Sequence, residues 1–231
     1  MTVAQLPLDQ QALLILAALV LFTSFVLLAQ ARIVSTIHAF AWQGALVSAT
    51  TALVAVVADK PHLYLSAVLT LSLKALLIPW MLHRLVRRLD IARHVDTVVR
   101  PALVLLGAAA LVAFCYYVAL PIERLSALST RNSIAVSMAV VLLGLLMMVT
   151  RRQAVTQVVG FMSMENGLFF AAVVATHGMP MAVELGIAFD VLVAAILFGV
   201  FFFHIRDSIE SLDVDRLNRL QETAEPGEVP E

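Results

Sequence analysis

The fold class predicted by this sequence is an all-α integral membrane protein. About seven transmembrane helices form two parallel three-helix units joined by a linker helix, with the N-terminus outside and the C-terminus inside. Three observations carry that prediction. Apolar residues make up 61% of the 231, charged residues only 13%, and mean hydropathy is +0.96. A soluble domain typically carries about 45–50% apolar and about 25% charged residues. The apolar residues are gathered into seven runs, each long enough for the roughly 20-residue helix that crosses about 30 Å of hydrocarbon. No period-2 alternation runs through them, so helices rather than a closed barrel must satisfy their backbones in lipid.

The runs cover residues 11–31, 33–57, 63–82, 101–119, 133–149, 153–175 and 182–204. The first ends in Ala29-Gln30-Ala31, which has the small-x-small form of a signal-peptide cleavage site. Its apolar stretch is too long for a signal peptide and no Lys or Arg precedes it, so it reads as a retained helix. The loops after the first, third and fifth runs, with the C-terminus, hold Arg32, Arg84, Arg87, Arg88, Arg93, Arg100, Arg151, Arg152, Arg206, Arg216 and Arg219. The other side holds only Lys60, Arg124 and Arg131. Eleven basic residues against three put the first set in the cytoplasm.

Two cytoplasmic segments, 83–100 and 205–221, set apolar residues at helical spacing among arginines or other polar residues. Such a stripe suits a membrane surface, a partner's helix or a solvated helical extension. The last residues, 222–231, hold Glu225, Glu228, Glu231 and two prolines with no basic residue, a composition expected to be disordered.

The second and third runs read like the sixth and seventh. Arg32 opens one pair and Arg151-Arg152 the other. Phe40-Ala41-Trp42-Gln43-Gly44 then parallels Phe161-Met162-Ser163-Met164-Glu165-Asn166-Gly167, one residue out of register. Each triplet carries a charge inside its last run, Lys74 or Asp190, and closes in Leu89-Asp90-Ile91 or Leu212-Asp213-Val214. The units are therefore 1–100, three helices and an amphipathic segment; 101–132, a linker helix and outer loop; and 133–221, three helices with an extension. The tail is 222–231.

Three charges lie inside the runs: Lys74, Glu165 and Asp190. Each costs about 2.5–3.5 kcal/mol on insertion scales and is a functional candidate by default. At 1.5 Å per residue all three lie within roughly 4 Å of the bilayer centre, and Gln43 is similarly deep. The two acids are too short to reach water, so they must face protein or a hydrated cavity. A lateral row of protonatable groups is one reading; a Lys74–carboxylate pair that only fixes helix docking is the other. Gly160, Ser163 and Gly167 share a face of the sixth run and allow close packing beside Glu165. Pro79 frees the carbonyl of Ala75 and softens the helix next to Lys74. His38, near the cytoplasmic end of the second run, either feeds protons inward or is a packing histidine.

Several functions are excluded. A net charge of −1 makes no case for nucleic acid. One cysteine, Cys115, makes neither a disulfide within the chain nor a cysteine-based metal or iron–sulfur site. No nucleotide loop, redox ligand set or nucleophile constellation is present, so no catalytic residue, cofactor or metal ligand is expected.

The stretches Gly160–Gly167, Glu184-Leu185-Gly186-Ile187-Ala188-Phe189-Asp190 and Leu212-Asp213-Val214 resemble the hydrogenase-4 component E family. The likeness runs over nearly the whole chain, and its last third is also similar to the three-helix K subunit of respiratory complex I. The resemblance implies a subunit of a bacterial inner-membrane arm, built with antiporter-like subunits and attached to a complex I-like or hydrogenase-type oxidoreductase core. It also implies a part in proton or ion translocation, without a catalytic centre in this chain. Of the two buried glutamates of the K subunit, the second matches Asp190. The first matches Met162, with Glu165 one turn later on a similar face. The proton-transfer candidates are then Glu165, Asp190, Lys74, Gln43 and His38. A scaffold without proton transfer and a free-standing small transporter are the alternatives.

Overall fold

The computed structural model describes residues 7–59, 61–88, 100–120, 128–175, 184–197 and 199. They form α1 (Leu8–Ala29), α2 (Ile33–Ala58), α3 (Pro61–Thr70), a π-helical segment (Leu71–Leu77), α4 (Ile78–Arg88), α5 (Pro101–Ala119), α6 (Leu128–Thr150) and α7 (Ala154–Ala175). A last helix, α8, covers residues 184–197. Among the described residues there is no strand, only isolated bridges at Arg32 and Arg151. The molecule is an all-α membrane protein. Among the described residues, six helices are long and apolar enough to cross a bilayer: α1, α2, the rod Leu63–Arg87, α5, α6 and α7. The seventh predicted run is represented by α8, and the rest of it lies outside the described residues. So do most of the outer loop before α6, residues 89–99 of the first amphipathic segment, all of the second, and the acidic tail.

Helix ends follow local chemistry. Pro7 precedes α1, and Pro101 opens α5, where a missing N–H breaks no intrahelical bond. Asp59 closes α2 in the left-handed conformation, φ 50°, with its N–H donating to the Ala55 carbonyl. Aspartate tolerates that region better than most residues. Short links at 30–32 and 151–153 fold α2 back on α1 and α7 back on α6. Arg151 is buried at the second link, where its guanidinium donates to the Leu28 carbonyl and, at 3.1 Å, to the Gln30 carbonyl. It thereby caps the end of α1, whose last carbonyls have no helical donor. Burial pushes the Arg151 pKa below its ordinary value.

Pro79 explains the break in the third rod. It has no N–H to return to the fourth residue before it, and the helix widens just upstream. The N–H of Ile78 donates five residues back, to the Leu73 carbonyl. In that register the carbonyl facing residue 79 is that of Lys74, and a proline cannot serve it. The softening expected beside Lys74 is thus a full π-helical segment with Lys74 at its centre.

Helix α2 lies against α1, the α3–π–α4 rod and α7, while α6 lies against α7, α5 and α1. The apolar core is divided in two. One cluster gathers Leu27, Phe40, Ile78, Leu143, Met162 and Ala194; the other gathers Val20, Val47, Leu63, Val140 and Phe169, with Ile187 beside it. Along helix after helix the change from one cluster to the other falls at a polar residue: Ser24 on α1, Gln43 on α2, Lys74 on the π segment, Glu165 and Asn166 on α7, Asp190 on α8. That buried polar layer is the candidate site.

Candidate functional site

Lys74 and Asp190 are 0% exposed, and Glu165 is 6% exposed. The three meet. Lys74 Nζ donates a hydrogen bond to Glu165 Oε2 and forms an ion pair with it. The same Nζ lies 3.3 Å from Asp190 Oδ1 and 5.0 Å from the centre of the Phe169 ring, whose negative face favours a cation. The ammonium thus stands in direct hydrogen-bonded contact with Glu165 and in a longer ion pair with Asp190. A lysine has three N–H donors and one charge. Here that one charge is shared by two carboxylates from two different helices.

A second polar string adjoins the triad. Asn166 Nδ2 donates to Gln43 Oε1 at 3.2 Å, Gln43 Nε2 donates to Ser24 Oγ at 2.8 Å, and Ser24 Oγ donates to the Val20 carbonyl at 3.0 Å. All three side chains are buried. Asn166 follows Glu165 in sequence, so the string enters the triad through α7. The Asn166 carbonyl oxygen accepts no hydrogen bond from the described residues and remains a free acceptor inside the layer.

Glycines set how closely the helices approach. A Cβ on Gly44 would stand 2.9 Å from Lys74 Cβ and 3.1 Å from its carbonyl carbon, so only glycine lets the π segment lie on α2 beside Gln43. Gly186 is four residues before Asp190, on the same face of α8. A Cβ there would run into the Phe169 ring, and Glu165 Oε1 would be 3.5 Å away. The Gly160–Gly167 face does support close packing, and its neighbour is α6. A Cβ on Gly144 would stand 2.6 Å from Met164 N and 2.8 Å from the Gly160 carbonyl oxygen; one on Gly167 would stand 2.9 Å from Val141 N.

Of the sequence candidates, Lys74, Glu165, Asp190 and Gln43 meet in one layer, as a cluster rather than a row. His38 stands apart. It is exposed, five residues before Gln43, with its ring centroid 6.1 Å from that of His83 on α4. Met162 is fully buried in the apolar cluster, and the acid on α7 is Glu165. Sequence reasoning missed Ser24, one hydroxyl in a long apolar run, and Phe169. It also missed Arg151, which looked like a solvated loop charge. No group of three or more histidine, cysteine or acidic residues suited to a metal occurs among the described residues.

Comparison with known proteins gives two kinds of relative. An uncharacterized protein of Mycobacterium tuberculosis (strain ATCC 25618 / H37Rv) is 34% identical over 187 residues, 80% of this chain and 85% of that protein. Hydrogenase-4 component E of Escherichia coli (strain K12) is 30% identical over 148 residues, 64% of this chain and 68% of the relative. Hydrogenase-4 component E of Shigella flexneri gives the same figures. No family profile matches the chain, and no solved structure matches it.

Proposed function

The chain belongs to the hydrogenase-4 component E family, and from that premise we propose that it is a membrane subunit of a hydrogenase-type complex whose buried triad carries protons within the membrane. The subunit has no reaction of its own. It sits in the bacterial inner membrane, links antiporter-like subunits to the oxidoreductase core, and contributes to proton or ion translocation. The single observation that supports the proton role is the sharing of the Lys74 ammonium between Glu165 and Asp190 inside an apolar core. With all three ionised the triad carries one net negative charge; one proton on either carboxylate makes it neutral. A buried net charge is expensive in lipid. Two states one proton apart, with a cation able to lean toward either acid, are what a transfer station requires. The π segment gives that cation a deformable base, and single-turn π distortions are frequent at functional sites. The Ser24–Gln43–Asn166 string offers hydroxyl and amide groups for lateral connection.

The two three-helix units are part of this proposal. Contacts between like members support them: α1 lies against α6, α2 against α7, and Lys74 of the third rod against Asp190 of α8. The eleven-to-three basic asymmetry supports the cytoplasmic C-terminus.

A scaffold is the second reading, favoured by the direct Lys74–Glu165 ion pair. Glu165→Gln separates the two, because it keeps size and hydrogen bonding and removes the proton site. Assembly of the complex is expected to persist while proton uptake per assembled complex falls severalfold. Loss of complex with normal uptake per remaining complex would make the carboxylate structural.

A further inference from the structure

We propose that a stripe of buried hydroxyl groups between α2 and α3 is a proton path joining the triad to the outer side of the membrane. The path rests on the proton role given to the triad above and adds its route and direction. Two contacts set the register of α2 against the third rod. A Cβ on Gly44 would stand 2.9 Å from Lys74 Cβ, and Ser48 Oγ donates to the Ala67 carbonyl at 2.7 Å. Residue numbers rise along α2 as they fall along the rod, so Ser48 and Thr51 stand opposite residues 66–70. On the rod, Ser66, Thr70 and Lys74 follow at four-residue intervals and share a face. On α2, Gly44, Ser48 and Thr51 share the face that meets it. Ser48, Thr51, Ser66 and Thr70 are all buried.

Thr70 is the residue that points to a ligand. The hydroxyls of Thr50, Thr51 and Ser72 each donate to the carbonyl four residues back in their own helix. Thr70 Oγ1 is different: the residue is 0% exposed and the hydroxyl has no hydrogen-bond partner among the described residues. An unpaired buried hydroxyl is costly, and a water molecule is the partner of the right size. A buried water needs roughly 2–4 polar partners. Thr70 supplies one, and Ser48 Oγ another, since its oxygen can accept while its proton goes to Ala67. Each hydroxyl or water takes a proton on its oxygen and passes its own onward. One proton enters at one end of the path, one leaves at the other, and the groups between are unchanged.

The direction follows from what lies on either side of Lys74. Toward the arginine-bearing end of the rod the same interface is apolar, with Ile37 and Phe40 of α2 in one buried cluster with Ile78 and Leu82. That end is cytoplasmic by the basic asymmetry. The hydroxyls lie the other way. At about 1.5 Å per residue Thr70 stands roughly 6 Å and Ser66 roughly 12 Å from Lys74, against about 15 Å for half the hydrocarbon core.

Proton uptake into vesicles, normalised to assembled complex, tests the path. Thr70→Val keeps the shape and removes the hydroxyl, and uptake is expected to fall severalfold. Thr70→Ser restores a hydroxyl and is expected to recover most of the uptake. Ser48→Ala is expected to lower uptake as well, and it decides the matter alone where Thr70→Val does not assemble. Thr50→Val removes a buried hydroxyl two residues from Ser48, on the far side of α2, and is expected to leave uptake unchanged. Glu165→Gln is measured alongside. Wild-type uptake in Thr70→Val and Ser48→Ala, with uptake lost in Glu165→Gln, would overturn the path and leave the triad's role standing. Wild-type uptake in Glu165→Gln would overturn the proton role itself. Equal losses in Thr70→Val and Thr70→Ser, or a like loss in Thr50→Val, would show that packing is what uptake senses and would overturn the path.

Discussion

Two groups of helices, α1 to α4 and α6 to α8, make opposite contributions to one polar layer. The first, α1 to α4, supplies the base, Lys74, from a rod that is π-helical around it and closed by Pro79. The second, α6 to α8, supplies both acids. Its helices α6 and α7 are locked at Gly144 and Gly167, where the facing backbone approaches too closely for a Cβ. The acid on α7 is thus held on a stiff pair of helices, while the cation stands on a backbone lacking a helical hydrogen bond. The difference teaches where charge can move. A lysine on a deformable segment can shift between two acids, whereas two acids on a deformable half facing a rigid lysine would drift from it together.

Removing the base is expected to do the greatest damage. Lys74→Met leaves Glu165 and Asp190 buried with no cation, and breaking a buried pair in this way costs about 3–5 kcal/mol. Asp190→Asn leaves Lys74 with Glu165 and should cost clearly less. Thermal stability of the purified complex ranks the two. A larger loss from Asp190→Asn would break the comparison, because the acids would then be the holders of the structure.

The two corners offer a smaller contrast of the same kind. Arg151 is buried and caps α1, while Arg32, its counterpart at the first link, is exposed. Arg151→Gln removes charged hydrogen bonds to two carbonyls and is expected to cost about 1.5–3 kcal/mol. Arg32→Gln should stay within about 0.5 kcal/mol, as surface changes usually do. Equal melting-temperature losses would show that the two corners are built alike.

Much of this was legible in the sequence. Run length and charge scarcity mark the spans, and counting residues from run ends places Lys74, Glu165, Asp190 and Gln43 at one depth. Pro79 marks the weak point of its helix because the missing N–H is written in the residue itself. Rotation of the helices is another matter. Spans that are apolar all round carry no stripe telling which face meets protein, so the meeting of one lysine with two acids could not be read from periodicity. Ser24 is a lone hydroxyl in such a run. Arg151 contacts carbonyls more than 120 residues away, and arginine in a loop is ordinarily solvated. His38 shares the chemistry of a proton donor, but five residues place it more than one turn from Gln43 and against His83 instead.

The central claim is that the triad moves protons as well as holding helices, and full neutralisation tests it most directly. A lysine shared by two acids cannot be balanced by any double change that removes it, because one acid always remains. The triple variant Lys74→Met, Glu165→Gln, Asp190→Asn leaves no buried charge and no titrating group in the layer. Its proton uptake should be measured in vesicles and normalised to assembled complex. The account predicts that assembly recovers relative to Lys74→Met while coupled proton uptake stays impaired. Recovery of both to wild-type levels would contradict it and leave the triad a purely structural lock.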